Sequence, residues 1–264
     1  RFNYMVSLTG STPAGQSINK ATANNMAHVQ LELGGKAPFI VMEDANLEQA
    51  AAAALHSRFD NCGQVCTCNE RMYVHSGVYD DFMRIFMDKV ASIKVGDPMD
   101  PLSDMGPKVN ARELAHMEKL VAQAIDEGAT LAFGGSKIQG AGFEKGFWFQ
   151  PTVLTDVTQT MTIAHEEVFG PILPVIQFDT FEEVIGYAND SDYGLAAMVC
   201  TNNMKYVNRL LSELESGEVY INRGHGEQHQ GFHNGYQLSG TGGEDGKYGF
   251  EQYLEKKTFY LNFN

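Results

Sequence analysis

Residues 32–75 read ELGGKAPFIVMEDANLEQAAAAALHSRFDNCGQVCTCNERMYVH. Ala37 to Met42 is an apolar run, Asp44 or Asn46 can cap the alanine-rich helix that runs on through Phe59, and Arg71 to His75 is a second apolar run. Strand, helix and strand in that order are the pattern of an α/β chain. Between the helix and the second strand lies Asn61-Cys62-Gly63-Gln64-Val65-Cys66-Thr67-Cys68, which is short, polar and glycine-containing. A thiol at such a turn sits where backbone N–H groups favour a thiolate and, later, an oxyanion.

The same alternation runs outward in both directions. Upstream, Phe2 to Leu8 predicts a strand, Gly10-Ser11-Thr12-Pro13-Ala14-Gly15 turns into a helix reaching about Asn24, and His28 to Leu33 predicts another strand. Downstream, helical spacing covers Val78 to Ile93, Asn110 to Glu127, Phe181 to Ala188 and Met204 to Glu215, with Gly128 stopping the second. Strands are expected at Trp148 to Leu154, Ile172 to Phe178, Leu195 to Thr201 and Glu218 to Ile221. Arg223 to Gly246 is different, because eight glycines and three histidines predict a long loop. Lys257 to Phe263 alternates like a short strand with no partner nearby, so it is expected to pair with another domain or subunit.

The chain has 264 residues, with 43% hydrophobic and 20% charged side chains, a globular composition with length enough for a sizeable core. Lys plus Arg is 19 against Asp plus Glu at 33, a formal charge of −14. That balance weighs against nucleic acid or an anionic membrane as main partner. No apolar run approaches the roughly 18 residues that a membrane helix needs. Three of the four cysteines, Cys62, Cys66 and Cys68, fall within seven residues, which suits a reducing cytoplasm better than a disulfide framework. As metal ligands they lack a clear fourth partner, so no metal site is expected. Arg1 leads at once into a strand-like run, so the chain is expected to begin inside a longer protein.

Three further stretches could carry chemistry. In Glu32-Leu33-Gly34-Gly35-Lys36 a carboxylate near a strand end is followed by two glycines, which permit close backbone approach to a ligand or a sharp crossover. A solvated edge carboxylate is the plainer alternative. The turn Gly10 to Gly15 presents N–H groups and a helix dipole to a phosphate, and helix capping explains it about as well. His165-Glu166-Glu167-Val168-Phe169-Gly170-Pro171 reads by itself as a loop leading into a strand.

Together, in this order and spacing, these motifs resemble the aldehyde dehydrogenase superfamily. Thr9-Gly10-Ser11, Glu32 to Lys36, Gly63-Gln64-Val65-Cys66, Glu167 to Pro171 and Leu238-Ser239-Gly240 carry the resemblance, which spans essentially the whole chain. Gln230-Gly231-Phe232-His233 and Asn189 to Gly194 carry a narrower likeness to bacterial lactaldehyde and glycolaldehyde dehydrogenases. The resemblance implies a Rossmann-like catalytic domain, a parallel sheet flanked by helices, over residues 36–240. Residues 1–35 would be the remnant of a dinucleotide-binding domain, and 241–264 a return segment with an oligomerisation strand. The chain thus resembles the carboxy-terminal half of such an enzyme.

The same resemblance implies roles for individual residues. By it, Cys66 is the nucleophile that forms a thiohemiacetal and then a thioester, and Glu32 is the general base that activates water to hydrolyse it. That base argues against acyl transfer to coenzyme A. NAD is the expected cofactor, with NADP not excluded. Gly10, Ser11 and Gly15 match its pyrophosphate turn, Glu167 its nicotinamide ribose, and Phe169, Leu33 and Gly34 positions beside the nicotinamide ring. Glu227 and His233 match substrate-facing positions, and Thr67 stands where the narrower group has Asn. The polar loop from Arg223 to His233 suits a small hydroxyaldehyde such as lactaldehyde or glycolaldehyde, unless it is a solvated surface turn. A homo-oligomer, dimer or tetramer, is expected.

Three other readings stand beside this one. A semialdehyde dehydrogenase would share the motifs. A catalytically incompetent fragment or interaction module would be the consequence of the absent cofactor region. A cysteine hydrolase would pair Cys66 with His165, His229 or His233.

Overall fold

The computed structural model describes residues 4–263, so Phe2 and Asn3 of the expected first strand lie outside the described residues. The chain opens with β1 (Met5–Thr9), α1 (Thr12–Thr22) and β2 (His28–Glu32), then β3 (Pro38–Val41), α2 (Leu47–Phe59), β4 (Arg71–His75) and α3 (Tyr79–Ala91). It continues through α4 (Ala111–Asp126), β5 (Thr130–Phe133), β6 (Thr152–Thr155), the single turn α5 (Thr162–His165), β7 (Ile172–Phe178) and α6 (Phe181–Asn189). The remainder is β8 (Tyr193–Gly194), β9 (Ala196–Cys200), α7 (Met204–Glu213), β10 (Glu218–Ile221), β11 (Tyr236–Gln237), β12 (Gly240–Thr241) and α8 (Gly246–Glu251).

The main sheet has seven strands in the order β10-β9-β3-β4-β7-β6-β5. All its pairings are parallel except that of β5 with β6. A parallel sheet needs both faces covered, and the alternation of β3 shows how this is done. Ile40 points into one core with Leu114, Met117, Val184 and Leu210 from α4, α6 and α7. Its neighbours Phe39 and Val41 point into the other, with Ala50 and Ala54 of α2 and Phe82 and Phe86 of α3. All three strand residues are fully buried, each contributing on the order of 1.5–3 kcal/mol.

Asn46 rather than Asp44 caps α2, its side chain accepting from Gln49 N at 3.1 Å. Asp44 instead accepts from Thr201 Oγ1 and Asn202 N, tying β3 to the end of β9. The strand expected from Trp148 is shortened to Thr152–Thr155, because Pro151 cannot donate to a ladder. β5 was not expected and fills the sheet edge beside β6. Lys257 to Phe263 forms no strand: these residues lie exposed, and a lone strand has nothing within the described residues to pair with.

A smaller sheet orders β1-β2-β12, with β1 parallel and β12 antiparallel to β2. Part of the glycine-rich loop thus returns to the strand that ends in Glu32. The carboxyl end of β2 faces the amino ends of β3, β4, β7 and β10. Three of the segments leading into those strands are ones that the sequence singled out.

Candidate active site

Those three segments press together at the amino edge of the main sheet. A Cβ added at Gly34 would stand 2.6 Å from Glu167 Oε2, and one at Gly35 would collide with the carbonyl oxygen of Cys66. The paired glycines are therefore required by close approach of backbone to backbone and to a carboxylate. Gly35 N also donates to Glu167 Oε1 at 2.7 Å. The turn carrying Cys66 departs from α2 through Asn61 and Cys62, both left-handed (φ 47° and 60°), and Phe169 is left-handed as well (φ 46°). Such strained backbone persists only where its surroundings fix it.

Glu70 supplies that fixing. Its fully buried carboxylate accepts from Lys36 Nζ at 3.0 Å, Arg58 Nη1 at 2.8 Å, Val168 N at 2.8 Å and Phe169 N at 3.1 Å. Arg58 also donates to the carbonyl of Gly63 at 2.9 Å and to that of Asn69. One carboxylate thereby joins the Gly34–Lys36 link, the nucleophile turn and the Glu167–Phe169 link. Burial alone would raise its pKa, but Arg58 and Lys36 outweigh that and hold it at about 2. Lys108 Nζ donates to the carbonyl of Phe169 from the other side. The sequence gives little sign of Glu70 beyond a charged pair, Glu70-Arg71, at the start of a buried strand.

The thiols divide sharply. Cys62, Cys68 and Cys200 are buried, and burial pushes them up to about 11, 12 and 12, so they stay protonated. Cys66 alone is partly exposed. The His233 ring lies 3.4 Å from Glu32 Oε2 through Nε2 and 3.2 Å from Glu218 Oε2 through Nδ1. Glu32 is 2% exposed, and neither of its oxygens accepts a hydrogen bond from the described residues. Burial raises its pKa to about 7, with His233 pulling the other way. A buried carboxylate near neutrality, without a protein donor, is suited to take a proton from water.

Glu227 is exposed and His233 is 8% exposed, whereas Thr67 is buried at 2% beside Cys66. The loop that carries Glu227 and His233 is held to the end of α2, where the His225 ring stacks on that of His56 and faces Asp60 at 3.5 Å. Sequence reasoning did not single out His56, Asp60, His225 or Glu218. His165, another histidine considered for a hydrolase, is exposed and pairs instead with the carbonyl of Gln159.

At the other side of Glu32, Gly10 N donates to its carbonyl at 2.9 Å, so the Gly10-Ser11 turn adjoins the end of β2. Ser11 is extended and makes no side-chain cap, and Pro13 occupies the first turn of α1. The N–H groups of that exposed helix start are left facing outward, an arrangement that fits a pyrophosphate. Gly15 is buried against Leu33, where an added Cβ would stand 2.6 Å from Cδ1. Glu167 is half-buried, and burial raises it to about 7; its Oε2 carries no hydrogen bond from the described residues, which fits a ribose hydroxyl.

Residues 3–259 match the aldehyde dehydrogenase family, and the chain belongs to it. It is 78% identical over its whole length to the 3,6-anhydro-α-L-galactose dehydrogenase of Vibrio sp. (strain EJY3), covering 55% of that protein. It is 48% identical over 97% of its length to the lactaldehyde dehydrogenase of Escherichia coli (strain K12), covering 53% of that protein. A solved 3,6-anhydro-L-galactose dehydrogenase in complex with NAP superposes on 98% of the chain with a TM-score of 0.96 at 84% identity, and 54% of that structure is covered. The chain thus spans about half the length of the relatives it matches. Among the described residues no helix is long and apolar enough to cross a membrane.

Proposed function

We propose that the chain is the catalytic portion of an enzyme that oxidises a hydroxylated aldehyde to its carboxylic acid with NAD(P). The observation that carries this reading is the close packing of the turn that holds the partly exposed thiol, Cys66, against Gly35, three residues beyond the buried carboxylate of Glu32. The Cys66 sulfur attacks the aldehyde carbon, and the N–H of Cys66 donates to the developing oxyanion. NAD(P), when bound, supplies the hydride acceptor. Gly10, Ser11 and Gly15 would hold its pyrophosphate, Glu167 its ribose, and Leu33, Gly34 and Phe169 the nicotinamide side. Glu32 then takes a proton from the water that hydrolyses the acyl-sulfur bond, so the product is the acid and not a coenzyme A ester.

Glu227, His229 and His233 give the mouth polar character and would face the substrate, with Thr67 shaping the floor beside the nucleophile. Hydroxyl groups on the aldehyde would pair with them, whereas an apolar aldehyde would leave the buried His233 ring and Thr67 hydroxyl without a partner from the substrate. Lactaldehyde and glycolaldehyde fit this class. The 78% identical relative named for 3,6-anhydro-α-L-galactose favours a larger polyhydroxylated aldehyde as a second reading. The reading divides the chain into 1–35, which completes the cofactor side, 36–240, the catalytic unit, and 241–264, the return and oligomerisation segment. Phe259, Tyr260, Leu261 and Phe263 of that segment are 74–93% exposed, which supports pairing with a second copy in a homo-oligomer. A cytoplasmic location accords with four reduced cysteines.

The test is NAD(P)H formation at 340 nm by the full-length protein with anhydrogalactose, lactaldehyde, glycolaldehyde and propanal. Hydroxylated aldehydes are expected to exceed propanal in kcat/KM by roughly ten-fold or more, the scale of one or two satisfied buried hydrogen bonds. Equal rates across the panel would overturn the polar-mouth reading. No turnover with any aldehyde would overturn the activity.

A further inference from the structure

We propose that His56, Asp60 and His225 form a binding site for a divalent transition-metal ion, with zinc the ion that the donor set fits best. None of the three takes part in the chemistry assigned to Cys66 and Glu32. The site lies where the end of α2 meets the loop that carries Glu227 and His233.

His56 and Asp60 are four residues apart at the carboxyl end of α2, and the N–H of Asp60 still bonds the carbonyl of His56, so both side chains share one helix face. Folding brings His225 to that face, where its ring stacks on that of His56 with centroids 5.3 Å apart. One nitrogen from each ring and one Asp60 oxygen lie within 4.8 Å of one another. His225 Nε2 stands 3.5 Å from Asp60 Oδ2. Two ligands each about 2.1 Å from a tetrahedral ion are about 3.4 Å apart, so this edge of the site is already formed. His56 is exposed, and a turn of its free ring aims the third lone pair at the ion.

The hydrogen bonds around Ser57 fix which nitrogen of His225 is free. Ser57 Oγ donates its one proton to Met198 Sδ at 3.0 Å and accepts from Asn69 N at 3.1 Å. Toward His225 Nδ1, at 3.1 Å, the hydroxyl is therefore an acceptor, and Nδ1 carries the ring proton. Support of this kind on the far nitrogen is what holds a histidine ligand in place. The Nε2 lone pair is left facing a carboxylate oxygen, and two acceptors opposed in this way call for a cation between them. A proton could join those two groups, but the His56 ring beside them makes a set of three. Two imidazoles and a carboxylate suit Zn2+ with water in the fourth position, whereas Mg2+ and Ca2+ require more oxygen ligands. Entry is open, because His56 and Asp60 line a cavity of about 410 Å³. Lys89 on its wall is paired with Glu48 at 3.2 Å, and the formal charge of −14 favours a cation. An ion held here ties the substrate loop to the end of α2.

Calorimetric titration of the untagged full-length protein with Zn2+ tests the site, on a Cys66→Ala background so that zinc cannot bind the nucleophile. That protein is expected to take up one Zn2+ per chain at micromolar concentrations, with no competition from excess Mg2+. Adding His56→Gln or Asp60→Asn should weaken uptake by about ten-fold or more, since each removes one of three ligands. Both side chains are exposed, so neither change threatens the fold. Co2+ in place of Zn2+ should give the visible d–d bands of a four-coordinate site, lost in the same two variants. Absence of zinc uptake would overturn the site. Uptake that either variant weakens by less than about ten-fold would overturn it too, by showing that zinc binds elsewhere.

Discussion

Replacing Glu32 by Gln keeps the volume of the side chain and removes its titration, so the pH dependence of stability isolates the cost of burying this carboxylate. Its pKa moves from 4.5 to about 7 on folding, with burial the largest cause. A raised carboxylate pKa means that the folded state holds a proton that the unfolded state has already lost. Wild-type stability must therefore fall as pH rises from about 4.5 through 7, and level off above that. Linkage puts the loss at about 1 kcal/mol at pH 5.5 and about 3 kcal/mol at pH 8.5. Glu32→Gln avoids it, so the variant should gain about 2 kcal/mol on wild type between those two pH values. Urea unfolding of both proteins at pH 5.5 and 8.5 measures this, because titrations of groups remote from Glu32 cancel in the difference. A difference that stays constant with pH, or that shifts in favour of wild type, would refute the reasoning that burial holds Glu32 near neutrality.

Cys66→Ala should abolish aldehyde oxidation in the full-length protein while Cys68→Ala, which loses only a buried protonated thiol, keeps most of it; equal loss in steady-state assays would refute the assignment. Glu70→Gln leaves Lys36 and Arg58 buried with no carboxylate, so unfolding free energy should fall by about 3–5 kcal/mol, measured by urea titration. Deleting residues 257–263 should reduce the oligomeric mass of the full-length protein in light scattering; an unchanged mass would show that the segment does not join subunits.

Much of the architecture was legible because apolar runs in a parallel sheet are long and continuous. Ala37 to Met42 and Ile172 to Phe178 announce themselves, and their helices carry caps and stops such as Asn46 and Gly128. The site was legible where chemistry needs an unusual local sequence, as in Gly34-Gly35 against Cys66. What the sequence hid depends on long-range approach. Glu218 reads as the first residue of an edge strand, and only folding brings it to His233. Glu70 reads as one charge among many, until Arg58, Lys36 and two backbone N–H groups meet on it. Lys257 to Phe263 is the converse case: a strand pattern is present, but a strand is a pairing, and the described residues place no partner beside it.

The central claim is that Cys66 carries an acyl group which Glu32 removes. Incubating full-length Glu32→Gln with NAD(P) and lactaldehyde or anhydrogalactose, then quenching in acid and mapping peptides by mass spectrometry, tests it directly. The expected result is an acyl mass added to the Cys66 peptide, together with one rapid equivalent of NAD(P)H and slow turnover afterwards. Unmodified Cys66 with turnover equal to wild type would contradict it.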